Sequence, residues 1–459
     1  MSVTLEQIVS LAKRRGFIFP GSEIYGGLAG TFDYGPHGVA LKNNLKALWW
    51  KRFVEERDDM YGVDASLIMP ARVWEASGHT ETFNDPLVSD AKTGERYRLD
   101  HVLEAAGIDP AGMSLEDMWS ALQEKALKTP AGNAYEQPMT FNLLFPVTMG
   151  ASKDSATLAY LRGETAQGMF VNFKNIIDAY HPKLPFGMGQ IGKAFRNEIA
   201  PREFVFRLRE LEQMEVEYFV SPESWKASFE EWLRIMRSYA EEIGIPLERL
   251  HEKEIGDEDR AHYSERTIDF EYEFPRGTKE LWGLAYRTDY DLSRHGEYSG
   301  TPLVYIDEEK KEKVVPHVIE PSLGIERTML AVLAAAYDED ELGGETRIVL
   351  RLQPKVAPVK AMVSPLLKNK PELVEKAREV RALLKKVHPA IAWDDNGNIG
   401  KRYRRQDEIG TPFCITIDFD TLGETPELKD TVTLRHRDTG EQERLSLEEA
   451  AEKIRAALA

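Results

Sequence analysis

Leu41, Leu45, Leu48, Trp49 and Phe53 recur at three- and four-residue intervals, the spacing of one helical face. Gly62 then opens an extended segment, residues 63–70, that Pro70 closes, so a long helix is predicted to feed a strand. Residues 190–196 and 207–219 both carry strand-like sequence around a loop containing Pro201 and Arg202, which predicts an antiparallel hairpin with charged side chains on one face. Residues 316–324 read as a strand and turn leading into a helix over 325–337, whose alanines and leucines mark its buried face. The acidic, Gly-containing stretch 338–345 reads as a linker. Beyond it, apolar strands (348–352, 414–419) alternate with amphipathic helices (373–387, 447–458), the pattern of a small α/β domain. Residues 90–137 are less patterned, hold a short helical piece at 115–127 and read as an insertion.

Composition narrows the possibilities. The chain has 459 residues, with 42% hydrophobic, 10% aromatic and 30% charged positions, the proportions of a folded, multi-domain protein and not of a disordered one. Its net charge of −18 is unevenly spread: the balance from Thr346 onward is +3, which leaves −21 for the first 345 residues. A polyanionic partner therefore suits the tail better. The single cysteine, Cys414, excludes an intramolecular disulfide and a Cys-cluster zinc site and points to a reducing compartment, the cytoplasm. In residues 1–15 the cations Lys13, Arg14 and Arg15 follow the mixed stretch, the reverse of a signal peptide's order, and the longest apolar run, around residues 329–337, is about half a membrane span. Neither export by that route nor membrane insertion is expected.

Side chains of alternate residues on paired strands share a face, so Phe195-Arg196-Asn197-Glu198 with the returning Arg207, Arg209 and Glu215 would set guanidinium forks beside carboxylates. Such forks grip phosphate or carboxylate at two points and keep their charge, which predicts anionic ligands. Two more segments carry comparable groups. Residues 161–168 place Glu164 and Gln167 in a turn, and residues 319–327 place Glu320, Ser322 and Arg327 about a glycine at a helix start. Taken singly, each reads equally well as a capped turn or an exposed ion-paired hairpin.

Taken together, and with Trp74-Glu-Ala-Ser-Gly-His79, these segments resemble the ordered signature of class II aminoacyl-tRNA synthetases, and the likeness over nearly the whole chain is to the homodimeric glycyl type. The helix and strand ending at Pro70 resemble motif 1 of that class, residues 195–215 motif 2, and Gly324-Ile-Glu-Arg327 motif 3. Ser-Gly-His at 77–79, Glu-Thr-Ala-Gln-Gly at 164–168 and Glu-Pro-Ser at 320–322 resemble features of the glycyl branch, and the class I signatures HIGH and KMSKS are absent. The resemblance implies an α+β fold: an antiparallel-sheet catalytic domain flanked by helices (1–89 and 138–340), an insertion within it (90–137), and a C-terminal α/β anticodon-binding domain (346–459). It implies an ATP-dependent ligase that forms glycyl-adenylate and pyrophosphate, then transfers glycine to the 3′ end of tRNA(Gly). Mg²⁺ would accompany ATP, no zinc is implied, and the partners are tRNA(Gly), ATP, glycine and a second copy of the chain.

Carried over position by position, the family's catalytic residues resemble Arg196, between the amino-acid carboxylate and the α-phosphate, and Arg327, over the adenine and toward the γ-phosphate. The ATP site would comprise Arg196, Asn197, Glu198, Phe206, Arg207, Leu208, Arg209, Glu210, Leu211, Glu280, Leu281, Gly324, Ile325, Glu326 and Arg327. The glycine site would comprise Arg98, Glu164, Leu211, Glu212, Gln213, Met214, Glu215, Glu320, Pro321, Ser322, Leu323 and Gly324. Two positions depart from the family: Leu211 replaces the phenylalanine that many members stack under adenine, leaving Phe206 and Arg327 as substitutes, and Gly163 stands where proline often precedes Glu-Thr. In the tail, Lys401-Arg-Tyr-Arg-Arg405 mixes four cations with an aromatic ring that could stack on an unpaired base. Cys414, in an apolar strand, is expected in the core, and His79 is expected to be a structural or substrate-loop residue. Trp49 and Trp50 are expected either in the helix core or against a second subunit. The rival readings are a synthetase-like regulatory protein that has lost adenylation, and a related synthetase of other specificity.

Overall fold

The computed structural model describes every residue except 1, 2, 111, 151–156, 200, 202, 259, 262 and 308–310, so Arg202 of the hairpin loop lies outside the described residues. Most of the first 340 residues gather on a seven-stranded sheet: β1 Met60–Gly62, β2 Phe186–Phe195, β3 Glu210–Val220, β4 Leu250–Glu254, β5 Arg266–Phe274, β6 Gly277–Thr288 and β7 His317–Gly324. Their order is β4-β5-β6-β7-β3-β2-β1, antiparallel throughout except where β1 runs parallel to β2. The hairpin predicted across residues 190–219 is the β2–β3 pair, in a register that sets Gln190 opposite Glu215. Its second strand starts at Glu210, so Arg207 and Arg209 precede the strand instead of lying in it.

Alternation along β3 explains the layering. Met214, Val216, Tyr218 and Val220 point into one large core, shared with the helices α1 Pro36–Trp50, α2 Trp225–Glu242 and α3 Ile325–Ala336. Phe219 points the other way, to a smaller cluster with Phe170, Phe173, Met188 and Val318. Between that cluster and the open end of the sheet, the same face turns polar, and the cleft described below lies there.

Helix α1 starts at Pro36, whose fixed φ suits the first turn, and Gly38 is demanded by contact: a Cβ there would sit 1.9 Å from the Phe17 carbonyl oxygen. The helix continues into a π-helical turn, Lys51–Glu55, that brings Phe53 under Trp49 with ring centroids 4.9 Å apart. Both rings are fully buried within this chain, so Trp49 belongs to the core and not to a contact between subunits; a ring of this kind contributes roughly 1.5–3 kcal/mol. Trp50 packs on Gly62, where a Cβ would come within 2.7 Å of its ring. Of the segment 63–70, Ile68–Pro70 forms a strand, paired with Thr157–Leu161.

Helix α3 is buried nearly all round because it is wedged between sheet and α1, and it is pinned at its start by the Thr328 hydroxyl, which donates to the Gly324 carbonyl (2.7 Å) and accepts from the Trp282 indole (2.8 Å). The acidic stretch 338–345 is no linker. Tyr337–Leu342 and Glu345–Leu350 form a hairpin around Gly343 and Gly344, both at positive φ, and Asp338 and Asp340 pair with Arg347 and Arg351 on the returning side. Alternating side chains flanking a Gly-Gly turn are hairpin chemistry, which the run of acids concealed.

The tail forms a five-stranded sheet in the order Ile391–Trp393, Ala361–Pro365, Phe413–Ile417, Thr431–His436, Gln442–Ser446, packed with α4 Pro371–Leu384, α5 Ile399–Asp407 and α6 Leu447–Leu458. Cys414 is buried there, its thiol pushed up to about 12 by burial, which leaves it unreactive. The basic run 401–405 lies on α5 and much of it faces inward. Arg402 is buried against Ser364 and the carbonyls of Pro365 and Gly397, and Tyr403 bonds Thr416 beneath the Arg435 guanidinium, so neither is offered to a base. Residues 84–142 contain a small sheet (Asn84–Ser89, Arg96–Arg98, Met139–Asn142) and two helices (Leu99–Ala105, Leu115–Glu124) around Val88, Leu99, Leu103 and Leu122.

Candidate active site

A cleft of about 700 Å³ opens on the polar face of the sheet. The period-two alternation of its strands decides which predicted residues enter it. Leu211, Gln213 and Glu215 of β3, and Glu320, Ser322 and Gly324 of β7, line the cleft. Met214, Leu323 and Ile325 point to the opposite face and are fully buried in the main core, and Pro321, with the same parity, is also buried outside the cleft. Glu212 shares that direction: its carboxylate pairs with Lys42 (2.8 Å) and Lys46 (3.0 Å) of α1. Glu212, Met214, Pro321 and Leu323 of the proposed glycine site, and Ile325 of the proposed ATP site, thus send their side chains away from the cleft. Glu326 borders the cleft, but its carboxylate takes Lys42 (2.7 Å) and the Glu212 amide (2.9 Å) and ties α1, β3 and α3 together.

At one end of the cleft, carboxylates converge. Glu164 follows the strand Thr157–Leu161, and the short helix Ala166–Phe170 holds Gln167 so that its amide donates to Glu164 (2.9 Å). His79 Nε2 lies 3.2 Å from the other Glu164 oxygen, with its Nδ1 on the Ser77 hydroxyl (2.8 Å), which gives the Ser-Gly-His segment its place. Burial would raise the Glu164 carboxyl, but the charges of His79 and Arg287 and the Gln167 amide hold it well below the usual carboxylate range. Glu215 accepts from Ser322 Oγ (2.5 Å), Gln213 Nε2 (3.3 Å) and Thr165 Oγ1, yet burial and the Glu164 charge leave it raised. Glu320 is pushed up to about 8 by burial, even with Arg287 Nη1 donating to it at 2.9 Å.

That arginine is one of the groups sequence reasoning missed. Arg287 is 1% exposed, lies 3.8 Å over the Tyr263 ring and forks onto both Asp291 oxygens (2.8 and 2.9 Å) while reaching Glu320. Glu217, also missed, is fully buried beside Glu215 and Glu320. His295, which bonds Gln167 (2.7 Å), is held neutral, pushed down to about 4 by burial. Which strand lies beside which is not written in the sequence, so the partners of Arg287 and Glu217 are not legible there.

Guanidinium groups surround the other end. Arg196 leaves β2 with its Nε on the Gly163 carbonyl (3.2 Å) and its fork 5.3 Å over the Phe83 ring; among the described residues no carboxylate accepts a hydrogen bond from it. Arg327, in the first turn of α3, lies 4.5 Å over the Phe206 ring and pairs with Glu280 at 3.1 Å. Arg207 stands 3.6 Å from Glu198, its basicity lowered by burial. Leu208 and Leu281 supply apolar wall. Arg98 also lines this region, held by Asp85 (2.7 Å) and Asp100; burial raises Asp85 to about 6 despite that partner. Asn197 and Glu210 do not line the cleft: Glu210 pairs with Lys193 at the strand edge, and Arg209 spends its guanidinium on the carbonyls of Glu198 and Ala29. Gly283 and Gly324 face open space, where a Cβ would meet nothing within 4 Å. Gly163 fits closely: a Cβ there would be 3.1 Å from Leu144 and Phe83.

One cleft thus joins a buried anionic hole, able to hold a small cation, to a floor of arginines and an aromatic shelf able to hold phosphates and a planar ring. That combination on an antiparallel sheet defines a class II aminoacyl-tRNA synthetase core. Residues 151–336 match the tRNA synthetase class II core domain (G, H, P, S and T), and residues 360–457 match the anticodon binding domain. Similarity extends over the full length to curated proteins: the glycine–tRNA ligase of Caldanaerobacter subterraneus subsp. tengcongensis is 48% identical over 457 residues, covering 98% of this chain and 97% of that one. Those of Thermus thermophilus (47% identical, covering 97% of both chains) and Geobacillus kaustophilus (48%, covering 98% of both) are alike. The chain belongs to the glycine–tRNA ligase family.

Proposed function

We propose that this protein activates glycine with ATP, forming glycyl-adenylate and pyrophosphate, and then transfers the glycyl group to the 3′ end of tRNA(Gly). The observation that carries this reading is the polarity of this cleft: Glu164, Glu215 and Glu320 converge at one end, and Arg196, Arg207 and Arg327 at the other. A zwitterion whose ammonium sits among the acids directs its carboxylate toward Arg196. The nucleophile is already ionised, so no general base is needed, and the rate derives from in-line positioning and charge stabilisation. Arg196, unclaimed by any described carboxylate, stabilises the extra charge on the pentacoordinate phosphorus. Phe206, with the Arg327 guanidinium 4.5 Å over its ring, forms the shelf on which the adenine stacks, taking over from the aromatic ring that Leu211 lacks. Glu198 and Arg207 hold the nucleotide in its bent form, and Glu280 and Leu281 also line the ATP site.

Asp269 and Glu280 fit a Mg²⁺ that arrives with ATP: both are oxygen donors lining the cleft, and Asp269, raised to about 7 by burial and by the Glu280 and Glu271 charges, gains from a neighbouring cation. The ion would neutralise the pyrophosphate leaving group. Glycine selectivity rests on volume, because attraction to one methyl group discriminates by only about 1–3 kcal/mol. Residues 1–89 and 138–340 form the catalytic domain, 90–137 its insertion and 346–459 the anticodon-binding domain in this reading. It places the protein in the cytoplasm, and as a homodimer: Leu67, Ile68 and, on the paired strand, Leu158 are exposed aliphatic side chains that a second copy would cover.

Amino-acid-dependent ATP–pyrophosphate exchange with each of the twenty amino acids tests the reading. Exchange with glycine alone is expected. A folded protein that binds tRNA but exchanges with none would be the regulatory relative, and exchange with another amino acid would redirect the specificity.

A further inference from the structure

Beneath the proposed glycine site lies a buried acid that the mechanism above does not use. Glu217 follows Glu215 by two residues on β3, so both face the cleft side of the sheet, and Glu320 stands beside them on β7; oxygens of the three carboxylates lie within 4.8 Å of one another. Glu217 is fully buried, and neither of its oxygens has a hydrogen-bond partner among the described residues. An ionised carboxylate can only accept, and no donor reaches this one. Arg287 directs its hydrogen bonds to Asp291 and Glu320 instead.

Protonated, Glu217 has an O–H to give, and two acceptors are near. Glu215 is already occupied by Ser322, Gln213 and Thr165. Glu320 receives Arg287 on Oε1 and has room for another donor. We propose that Glu217 is a positioning residue for the substrate amino group: it shares one proton with Glu320, fixing that carboxylate in place, and the proton leaves to solvent when an ammonium ion enters. One O–H bond is broken and an N–H···O hydrogen bond replaces it, so the cluster exchanges one positive charge for another. The surrounding charges agree with this. Glu215 on β3, Glu164 after its strand and Asp291 on the helix Tyr290–Ser299 are acids facing the pair, against Arg287 of β6, with Tyr263, His79 and His295 completing the shell. Burial and these acids hold the Glu217 carboxyl well above the usual range, and with the Arg287 guanidinium already divided between Asp291 and Glu320, two carboxylates this close and this dry do not both ionise without a further cation.

The proposal rests on the reading that Glu164, Glu215 and Glu320 receive the glycine ammonium, and the test separates the two. Calorimetric titration of the full-length protein with glycine, beside a nonhydrolysable ATP analogue and in buffers of different ionisation enthalpy, counts protons released on binding. Wild type should release close to one proton near pH 6, where the free pair holds its proton, and a smaller fraction near pH 8, where that proton is partly gone already; binding with no release across that range overturns the proposal without any variant. Glu217→Gln keeps a donor for Glu320 but has no proton to share, so it should bind glycine with the release lost. Glu217→Leu fills the space without a donor and should raise the KM for glycine about ten-fold or more with the KM for ATP unmoved. Wild-type proton release in a folded Glu217→Gln protein sinks the role of Glu217 alone. An unchanged glycine requirement in Glu320→Gln sinks the underlying glycine site.

Discussion

Buried acids without full compensation are held at a cost to the fold, and Glu320 shows what that cost secures. Its carboxyl titrates at about 8 in the folded chain against 4.5 for an ordinary glutamate, so between those values the native state holds more protons than the unfolded one. Stability contributed at this position is therefore present at low pH and declines as pH rises from about 4.5 to about 8. Glu320→Gln should remove that decline, leaving the ligand-free variant about 1–3 kcal/mol more stable than wild type near pH 8, while weakening glycine binding. Thermal unfolding at pH 6 and pH 8 checks it: a gap between variant and wild type that fails to widen with pH refutes the account. Arg196 makes the opposite case. Its structural links are a single hydrogen bond to Gly163 and the Phe83 face, so Arg196→Ala should fold as wild type and lose about 10²–10³-fold in adenylation rate. Wild-type exchange rates in that variant would remove Arg196 from the chemistry.

At the scale of strands, the glycines of the cleft do what no side chain could. Gly283 on β6 faces Ser322 across the pair and opens on empty space, so Gly283→Val puts methyl groups directly into the cleft. The variant should keep its stability and lose glycine-dependent exchange, and a KM for both substrates close to wild type would show that the substrates lie elsewhere. Alternation also explains how far the sequence could be read. The strands, the order of the motif segments and the acids and arginines of the cleft were legible from local pattern. Contiguous runs such as 211–215 and 320–324 were read as one surface, whereas a strand sends every second residue away, so Glu212, Met214, Pro321 and Leu323 serve the core. Arg287 and Glu217 escaped notice for a different reason. Each matters through a partner on another strand, and a bulge between Tyr286 and Thr288 shifts the register that sets Arg287 against Glu320.

The whole molecule presents a surface problem that its own core does not solve. Leu67, Ile68 and Leu158 are each at least 40% exposed, and the strands bearing Ile68 and Leu158 pair side by side. The register sets Ile68 opposite Leu161, so Ile68 and Leu158 leave the strand pair on opposite faces, and exposed aliphatic side chains on a chain of net charge −18 are what a partner covers. A stable interface removes about 1,200–2,000 Å² from water, so three aliphatic side chains are part of one and not its whole extent. The strand Ile68–Pro70 also leads directly into the residues that set His79 against Glu164. Covering these side chains would then steady the acid end of the cleft as well as hide them from water. Ile68→Asp with Leu158→Asp should shift the proposed homodimer to a monomer in light scattering and reduce glycine affinity more than ATP affinity, because the Ser77–His79–Glu164 chain is the nearer connection. A monomer of full glycine affinity would leave the surface an interface without influence on the site; an unchanged dimer would mean that the second copy docks on another face.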